Sequence, residues 1–493
     1  MGKLSKLLHA IDENILTILL TAFIFIIPLY PKLPFQFVTY TYVAIRLEDF
    51  YVGLLVAVFV IQLIRKKATL RSVFTKPIFL FWGAVFLSLL SGIYLMKTLP
   101  YHQLAFLHAA RRVEYMIIFF IAINAVKSKK QFYWLFGSLM TSFALVNIYG
   151  VGQRFFSFPA VSTMNPEFAK GHILILTPEA RISSTFGGHY DLAAYIVFLM
   201  PFVWGLYFRF KENMKMKVGM LALFILAVSI LMLTSSRTSF IAYMVSTPFF
   251  LLYLKKYKYV VLVVIISLFL AYTEKDITQR FLQTFQVKQI LVNEQTGQVV
   301  VSQRISSKSL PAGTSYIQIN RPKNQASDAA AIKAQSISEA IKEAKKTGRG
   351  NVPGATDSAN YIEVSAVATD ISLATRLQVE WPRAIASLLK NPLLGTGPSS
   401  ITESTDNDYL RWLGEFGFLG FGLFLYILYV MADYVRRKLK KVDRPQKYLF
   451  QATFFALFGL LINAGYIDVF EASKVAYVFW YTMGIFIAGL DYA

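Results

Sequence analysis

Apolar runs of membrane-crossing length recur along most of this sequence, and no other feature narrows the fold so far. A helix needs about 20 such residues to cross a hydrocarbon core of about 30 Å. The runs fall near 15–30, 50–64, 77–96, 112–126, 132–150, 190–208, 218–235, 238–254, 258–272, 409–431, 447–466 and 473–490. Charged residues make up 16% of the 493, where a soluble globular chain carries about 25%. Lipid is therefore the main solvent, and the expected fold class is an all-α polytopic membrane protein with about twelve transmembrane helices. The run at 15–30 lacks a small-residue cleavage site and further spans follow it, so it reads as a retained first span.

The formal charge of +22 raises the question of nucleic acid. The placement of the basic residues argues against it. They sit in short links between apolar runs, in clusters on alternate links: Arg65–Lys67, Lys127–Lys130, Arg209–Lys217, Lys255–Lys258 and Arg436–Lys447. With Lys3 and Lys6, about 24 of the 50 Lys and Arg lie on that side, against about 10 in the short links opposite. The positive-inside rule then makes both termini cytoplasmic and the links 31–49, 97–111, 151–189, 235–238, 273–408 and 467–472 outward-facing. There is no cysteine, so no disulfide framework or thiol chemistry is available.

Three domains follow: spans one to nine (1–272), a large extracytoplasmic subdomain (273–405) and spans ten to twelve (406–493). The middle segment turns polar and rich in Gln, Ser, Thr, Lys and Ala. Alternation over 285–305 predicts a hairpin, 327–346 an exposed helix ended by Gly348, 351–358 a linker, and 371–389 a further helix bent at Pro382. A structureless segment of this length is unusual, so the subdomain is expected to be mixed α/β.

Ionisable residues inside or beside membrane spans are functional candidates by default. Here they collect at the outward ends: Arg111, Arg112 and Glu114; Arg181, His189 and Asp191; Arg237 in the tight turn Ser235–Thr238; Arg376, Glu380 and Arg383; and Asp406, Asn407, Asp408, Arg411 and Glu415. An arginine-rich outer face with a few carboxylates suits an anionic substrate at the membrane surface. Each group also has a plainer reading, as a snorkelling arginine, a solvated helix face or a helix cap. Gly395 and Gly397 are compatible with a phosphate cradle or with an ordinary turn. Asp406-Asn407-Asp408 fits a divalent-ion Asp-x-Asp pattern or simple capping.

Asp406-Asn407, nine residues, then Gly417-Phe-Leu-Gly420 resembles the signature of the O-antigen ligase and Wzy-type polymerase superfamily, which is His, then Asn, Ser or Gln, nine residues and Gly-x-x-Gly. Asn391-Pro-Leu-Leu-Gly-Thr-Gly-Pro resembles that family's stretch after its large periplasmic loop. Leu233-Thr-Ser-Ser-Arg-Thr is similar to its Thr/Ser-Arg turn, and Arg181-Ile-Ser-Ser-Thr-Phe-Gly to an upstream Arg element. The resemblance spans roughly residues 170–430.

The resemblance implies a GT-C-like, inverting, metal-independent glycosyltransferase in the bacterial inner membrane that needs no cofactor. It would move a glycan from an undecaprenyl-diphosphate carrier to a glycan, lipid or protein acceptor at the outer face. Arginines bind phosphate oxygens bidentately and stabilise charge on a leaving diphosphate; by resemblance Arg237 and Arg376 do this, with Arg181 third. Asp406 stands where the ligases have histidine, which leaves ligation, polymerisation and protein O-glycosylation all open. A carboxylate serves as base in inverting glycoside chemistry, so Asp406 is the first candidate for the base and His189 the second. Asn407, Asp408, Asp191 and Arg383 are candidates for support. The alternative is a transporter or flippase of lipid-linked glycans; such proteins show interrupted helices, midplane polar groups and internal repeats, and no repeat is visible here.

Overall fold

The structure, a computed structural model, describes residues 3–37, 44–164, 168–177, 180–210, 212–274, 278, 285–293, 299–300, 314–317, 361–370, 373, 375–401 and 405–492. Among them lie thirteen α-helices: α1 (Lys3–Leu29), α2 (Leu47–Ile64), α3 (Thr75–Leu90), α4 (His102–Ala125), α5 (Lys129–Phe155), α6 (His189–Arg209), α7 (Met214–Leu233), α8 (Arg237–Tyr253), α9 (Tyr257–Thr273), α10 (Trp381–Lys390), α11 (Asp408–Lys438), α12 (Arg444–Ala464) and α13 (Ser473–Gly489). All except α10 coincide with the apolar runs of the sequence. Eight are long and apolar enough to cross a membrane: α1, α2, α3 with its π-helical extension Ser91–Leu95, α5, α6, α7, α11 and α12.

The chain forms two compact units, Met1–Ile277 with Trp381–Ala493, and Thr278–Glu380. At the centre of the first unit, α6 is apolar on every side and buried from Leu192 to Leu206, as a helix enclosed by other helices must be. It packs most extensively on α12, while α13 packs on α4. Lipid tails are as apolar as these side chains, so close packing and interhelical hydrogen bonds hold the bundle, at about 0.6 kcal/mol per bond. Ser239 Oγ donates to Asn463 Oδ1 at 2.7 Å, Thr17 Oγ1 to Ala125 O at 2.6 Å, and the hydroxyls of Tyr243 and Ser267 meet at 2.8 Å.

Helix α4 begins about ten residues before its apolar run. Arg111, Arg112 and Glu114 therefore sit inside a helix instead of opening one, and Arg112 is 2% exposed. Two short antiparallel hairpins lie between helices: β1 (Pro34–Phe37) with β2 (Ala44–Arg46), and β3 (Pro159–Val161) with β4 (Ile173–Ile175).

The second unit holds an antiparallel sheet ordered β6-β5-β8-β7, from β5 (Phe285–Asn293), β6 (Val299–Val300), β7 (Thr314–Ile317) and β8 (Tyr361–Asp370). The expected hairpin is the β5–β6 pair, with Leu291 opposite Val300 and Val292 opposite Val299. The main partner of β5 is β8, in register from Phe285–Thr369 to Asn293–Tyr361. The helix expected at 327–346 and the linker at 351–358 lie outside the described residues. In the region expected as one helix over 371–389, a π-helical turn Arg376–Glu380 precedes α10. Pro382 falls in the first turn of α10, where its missing N–H costs nothing.

Candidate functional site

Asp406 stands in a three-residue segment that is pinned from both sides. Asp468 accepts hydrogen bonds from the backbone N–H of Asn407 at 2.9 Å and of Thr405 at 3.2 Å, and it pairs with Arg411 at 2.6 Å. Between those anchors Asp406 takes φ +48°, a left-handed conformation that Asp tolerates better than most residues. Asn407 is the N-cap of α11: its Oδ1 accepts from Leu410 N at 3.0 Å, while Nδ2 donates to Gly465 O at 3.0 Å. Asp408 Oδ2 accepts from Phe470 N at 3.0 Å. The three residues of the Asp-x-Asp pattern thus have three separate tasks. Among the described residues, no group of three or more His, Asp or Glu is arranged to hold a metal ion.

Asp406 opens onto a cavity of about 600 Å³ whose walls carry Lys32, Arg46, His108, Arg111, Asp191, Arg411, Asp468 and Glu471. These residues come from the α1–β1 link, β2, α4, α6, the start of α11 and the α12–α13 link. Two of the acids are engaged: Asp468 by Arg411, and Glu471 by Arg112 and by Trp412 Nε1 at 3.1 Å. Arg112 lies 3.8 Å from the fully buried Glu415, and Arg411 3.4 Å from the same carboxylate. A buried chain of alternating charge therefore backs the wall on which Asp406 is mounted. Also lining the cavity, Lys32 is 6% and Arg46 9% exposed. Burial, then the neighbouring Arg46, holds the Lys32 ammonium below its ordinary pKa, with Asp191 and Glu48 opposing. Loss of hydration penalises the charged form of an amine.

The remaining candidates are placed as follows. Asp191 lines the cavity one turn into α6. His189 begins that helix, 4% exposed, and its Nε2 lies 3.0 Å from the Arg181 guanidinium. Guanidinium only donates, so that nitrogen's lone pair is already occupied. Neither Arg181 nor His189 is among the cavity-lining residues. Arg237 is the first residue of α8, behind a turn secured by Ser236 Oγ donating to Ser239 Oγ at 2.9 Å and Ser239 to Asn463. Ile182 N donates to Leu233 O at 3.2 Å, tying the segment of Arg181 to the turn that precedes Arg237. Arg237 does not line the cavity, and neither does Arg383, which lies in α10. Arg376 belongs to the second unit, at the π-helical turn that ends it.

The glycine motifs prove architectural. At Gly417 (φ +63°, ψ −169°) α11 breaks, and two of its hydrogen bonds are exchanged for bonds to the 392–397 loop. Phe418 N donates to Pro392 O at 2.8 Å and Leu419 N to Leu393 O at 3.1 Å; Gly414 O accepts from Thr396 N at 2.9 Å and Glu415 O from Gly397 N at 3.0 Å. Backbone at membrane depth must be satisfied internally, and this loop supplies all four partners. A Cβ at Gly417 would stand 2.4 Å from Leu393 C, and one at Gly395 2.4 Å from Glu415 C. The loop's N–H groups are thus spent on α11, not on a phosphate.

Sequence reading did not single out Lys32, Arg46, Asp468 or Glu471. Lys32 and Arg46 did carry a signal, since both are basic residues in a link that the positive-inside rule expects to face outward.

No curated protein matches this chain. Its eight apolar spanning-length helices are those of a multi-pass membrane protein. Residues 221–425, which hold Arg237, Arg376, Asp406 and the Gly417–Gly420 motif, match the model of the O-antigen ligase family and place that segment in the O-antigen ligase and Wzy-type superfamily of membrane glycan ligation and polymerisation.

Proposed function

We propose that this protein is an inverting glycosyltransferase that moves a glycan from an undecaprenyl-diphosphate carrier to an acceptor hydroxyl at the outer face of the bacterial inner membrane. Both termini are then cytoplasmic, and all twelve apolar helices span. The reading rests on one observation above all: the residue at the signature's base position, Asp406, opens onto a cavity that also holds the buried cations Lys32 and Arg46 and the half-buried Arg111. In the proposed step Asp406 takes the proton of the acceptor hydroxyl. The acceptor oxygen bonds to the sugar's anomeric carbon from the face opposite the leaving group. The bond from that carbon to the phosphate oxygen breaks, the electron pair leaves with the diphosphate, and the anomeric configuration inverts.

His189 is the weaker base, because Arg181 occupies its Nε2. For Arg181, Arg237 and Arg376 the diphosphate role rests on the resemblance, and substitution decides it. Transfer from a synthetic undecaprenyl-diphosphate oligosaccharide is measured in proteoliposomes, with glycan, lipid and peptide acceptors compared in parallel. Arg237→Ala and Arg376→Ala are expected to lose at least a hundredfold in rate, the scale of a lost charge-stabilising donor. Activity in excess EDTA is expected to match the untreated rate. Full activity in both arginine variants would remove the diphosphate clamp from the mechanism.

A further inference from the structure

Lys474 lies in the first turn of α13, and it is fully buried. The acids whose field reaches it, Glu48 and Asp191, form no ion pair with it, and Lys32 and Arg46 add like charge nearby. A buried ammonium in that setting is costly unless its donors are all satisfied, and lysine has three. All three are used: Nζ donates to Pro28 O at 3.2 Å, to Tyr30 O at 2.6 Å and to Thr185 O at 2.7 Å. The Phe186 ring centroid lies 5.1 Å away.

Pro28 and Tyr30 sit at the end of α1, where the last carbonyls of a helix lack partners within it and a cation is favoured. Thr185 closes the same knot, its Oγ1 donating to Pro28 O at 2.5 Å. Three segments far apart in sequence thus meet on one side chain, and each carries a wall of the charged cavity. Lys32 follows Tyr30, Gly187 follows Thr185, and Glu471 and Ser473 precede Lys474. The Lys32 stem passes Gly187 so closely that a Cβ there would stand 3.1 Å from Lys32 Cδ. Lys474 itself does not line the cavity.

We propose that Lys474 is a positioning residue: by tying the end of α1 and the Thr185 segment to α13, it fixes where the Lys32 ammonium stands and so sets the cavity's affinity for an anion. That the anion is the diphosphate of a glycan donor rests on the transferase reading above; the placement of Lys32 does not. A neutral side chain of similar length leaves three carbonyls without a donor, and the two segments part. The loss falls on binding more than on turnover, because a contact made equally in ground and transition states changes KM and spares kcat.

The test uses the full-length protein in nanodiscs with inorganic diphosphate as the probe. Hydrogen exchange is read in the peptides that hold Tyr30, Leu33 and Phe186, affinity by isothermal calorimetry, and donor KM and kcat by the transfer assay. Lys474→Met is expected to speed exchange in those peptides. It should weaken diphosphate binding at least about tenfold, the scale of one lost charge-assisted hydrogen bond. Donor KM should rise by the same factor with kcat little changed. Added to Lys32→Met, the substitution should cost little further affinity, since the two act through one group. Thr185→Val removes one bond of the knot, should move the same readouts by a smaller factor, and carries the test if Lys474→Met does not fold. Thr17→Val loses a similar interhelical bond in α1 away from the cavity. It should lower the melting temperature and leave exchange in those peptides, affinity and KM as in wild type. Unchanged exchange, loosened segments with unchanged affinity, or a wild type that binds no diphosphate overturns the proposal. Diphosphate binding that responds to Lys474→Met in a protein that transfers no glycan would count against the transferase reading alone.

Discussion

Asp468, on the α12–α13 link, accepts the backbone N–H of Asn407 at 2.9 Å and so fixes the residue next to Asp406 from 61 positions away. The same carboxylate holds Arg411 at 2.6 Å. One side chain thereby sets the position of the candidate base and neutralises the cation behind it. Asp468 is a positioning residue in this account, since it acts through the 405–407 segment.

Replacing Asp468 by Ala releases that segment and leaves Arg411 to Glu415 and Glu471. Displacement of a reacting group by about 1 Å costs on the order of a hundredfold in rate. The expected result is that loss in kcat with KM for the donor changed little, and a partial recovery in Asp468→Asn, whose single carbonyl oxygen keeps an acceptor for one of the two N–H groups. Steady-state kinetics of the two variants, beside their melting temperatures, separates positioning from unfolding.

Gly417→Ala tests the break in α11. The substitution puts a side chain at φ +63° with its Cβ 2.4 Å from the Leu393 carbonyl carbon. That positive-φ, extended-ψ conformation is essentially glycine-only and costs on the order of 1–3 kcal/mol for other residues, and backbone cannot move aside as a flexible side chain would. A lower melting temperature and weaker expression are expected, with the same outcome for Gly395→Ala. Gly422→Ala, where a Cβ meets nothing within 4 Å, should be neutral.

Arg112→Met tests the buried charge chain. It leaves Glu415, which is fully buried, and Glu471 without their shared guanidinium. Breaking a buried ion pair from one side costs about 3–5 kcal/mol. A chemical denaturation curve of the purified protein should show destabilisation on that scale, larger than for the exposed Arg436→Met.

The pH dependence of anion binding follows from Lys32. Burial lowers its pKa, so the free protein gives up this proton at a lower pH than an exposed lysine does. A bound anion favours the charged form. Affinity of this cavity for inorganic diphosphate should therefore fall as pH rises through the depressed value, below the usual lysine range. The other groups facing Lys32 are Arg46, Arg111, Asp191 and Glu48. Titration from pH 7.5 to 10 by isothermal calorimetry should show the fall in wild type and a flat, weaker profile in Lys32→Met.

The helices were legible because a span declares itself by length and apolarity, and Ile15, Tyr257 or Val475 sit in runs that leave little choice. The start of α4 was not, because His102 to Arg112 mixes His, Gln and Arg with its apolar residues and so lacks an apolar run, and only Ala105, Ala109 and Arg112 of it are buried. Strand β8 escaped because Tyr361–Asp370 lies in a polar stretch whose alternation of Ile362, Val364, Ala366 and Ala368 acquires meaning only opposite β5. At the site, Asp406 and Asp191 were singled out by motif and by dipole position, and both reach one cavity wall. Their companions Lys32, Arg46, Asp468 and Glu471 come from short links far apart in sequence. Only folding gathers them. The Gly395–Gly397 pair read equally as cradle or turn until the hydrogen-bond exchange with α11 showed which N–H groups were already used.

The most direct test of the account is the rate of glycan transfer by Asp406→Asn in proteoliposomes, at matched amounts of folded protein and saturating undecaprenyl-diphosphate donor. General-base catalysis is worth about 10²–10⁴ in rate. The account predicts a loss in that range with donor binding unchanged. A rate within threefold of wild type would contradict it.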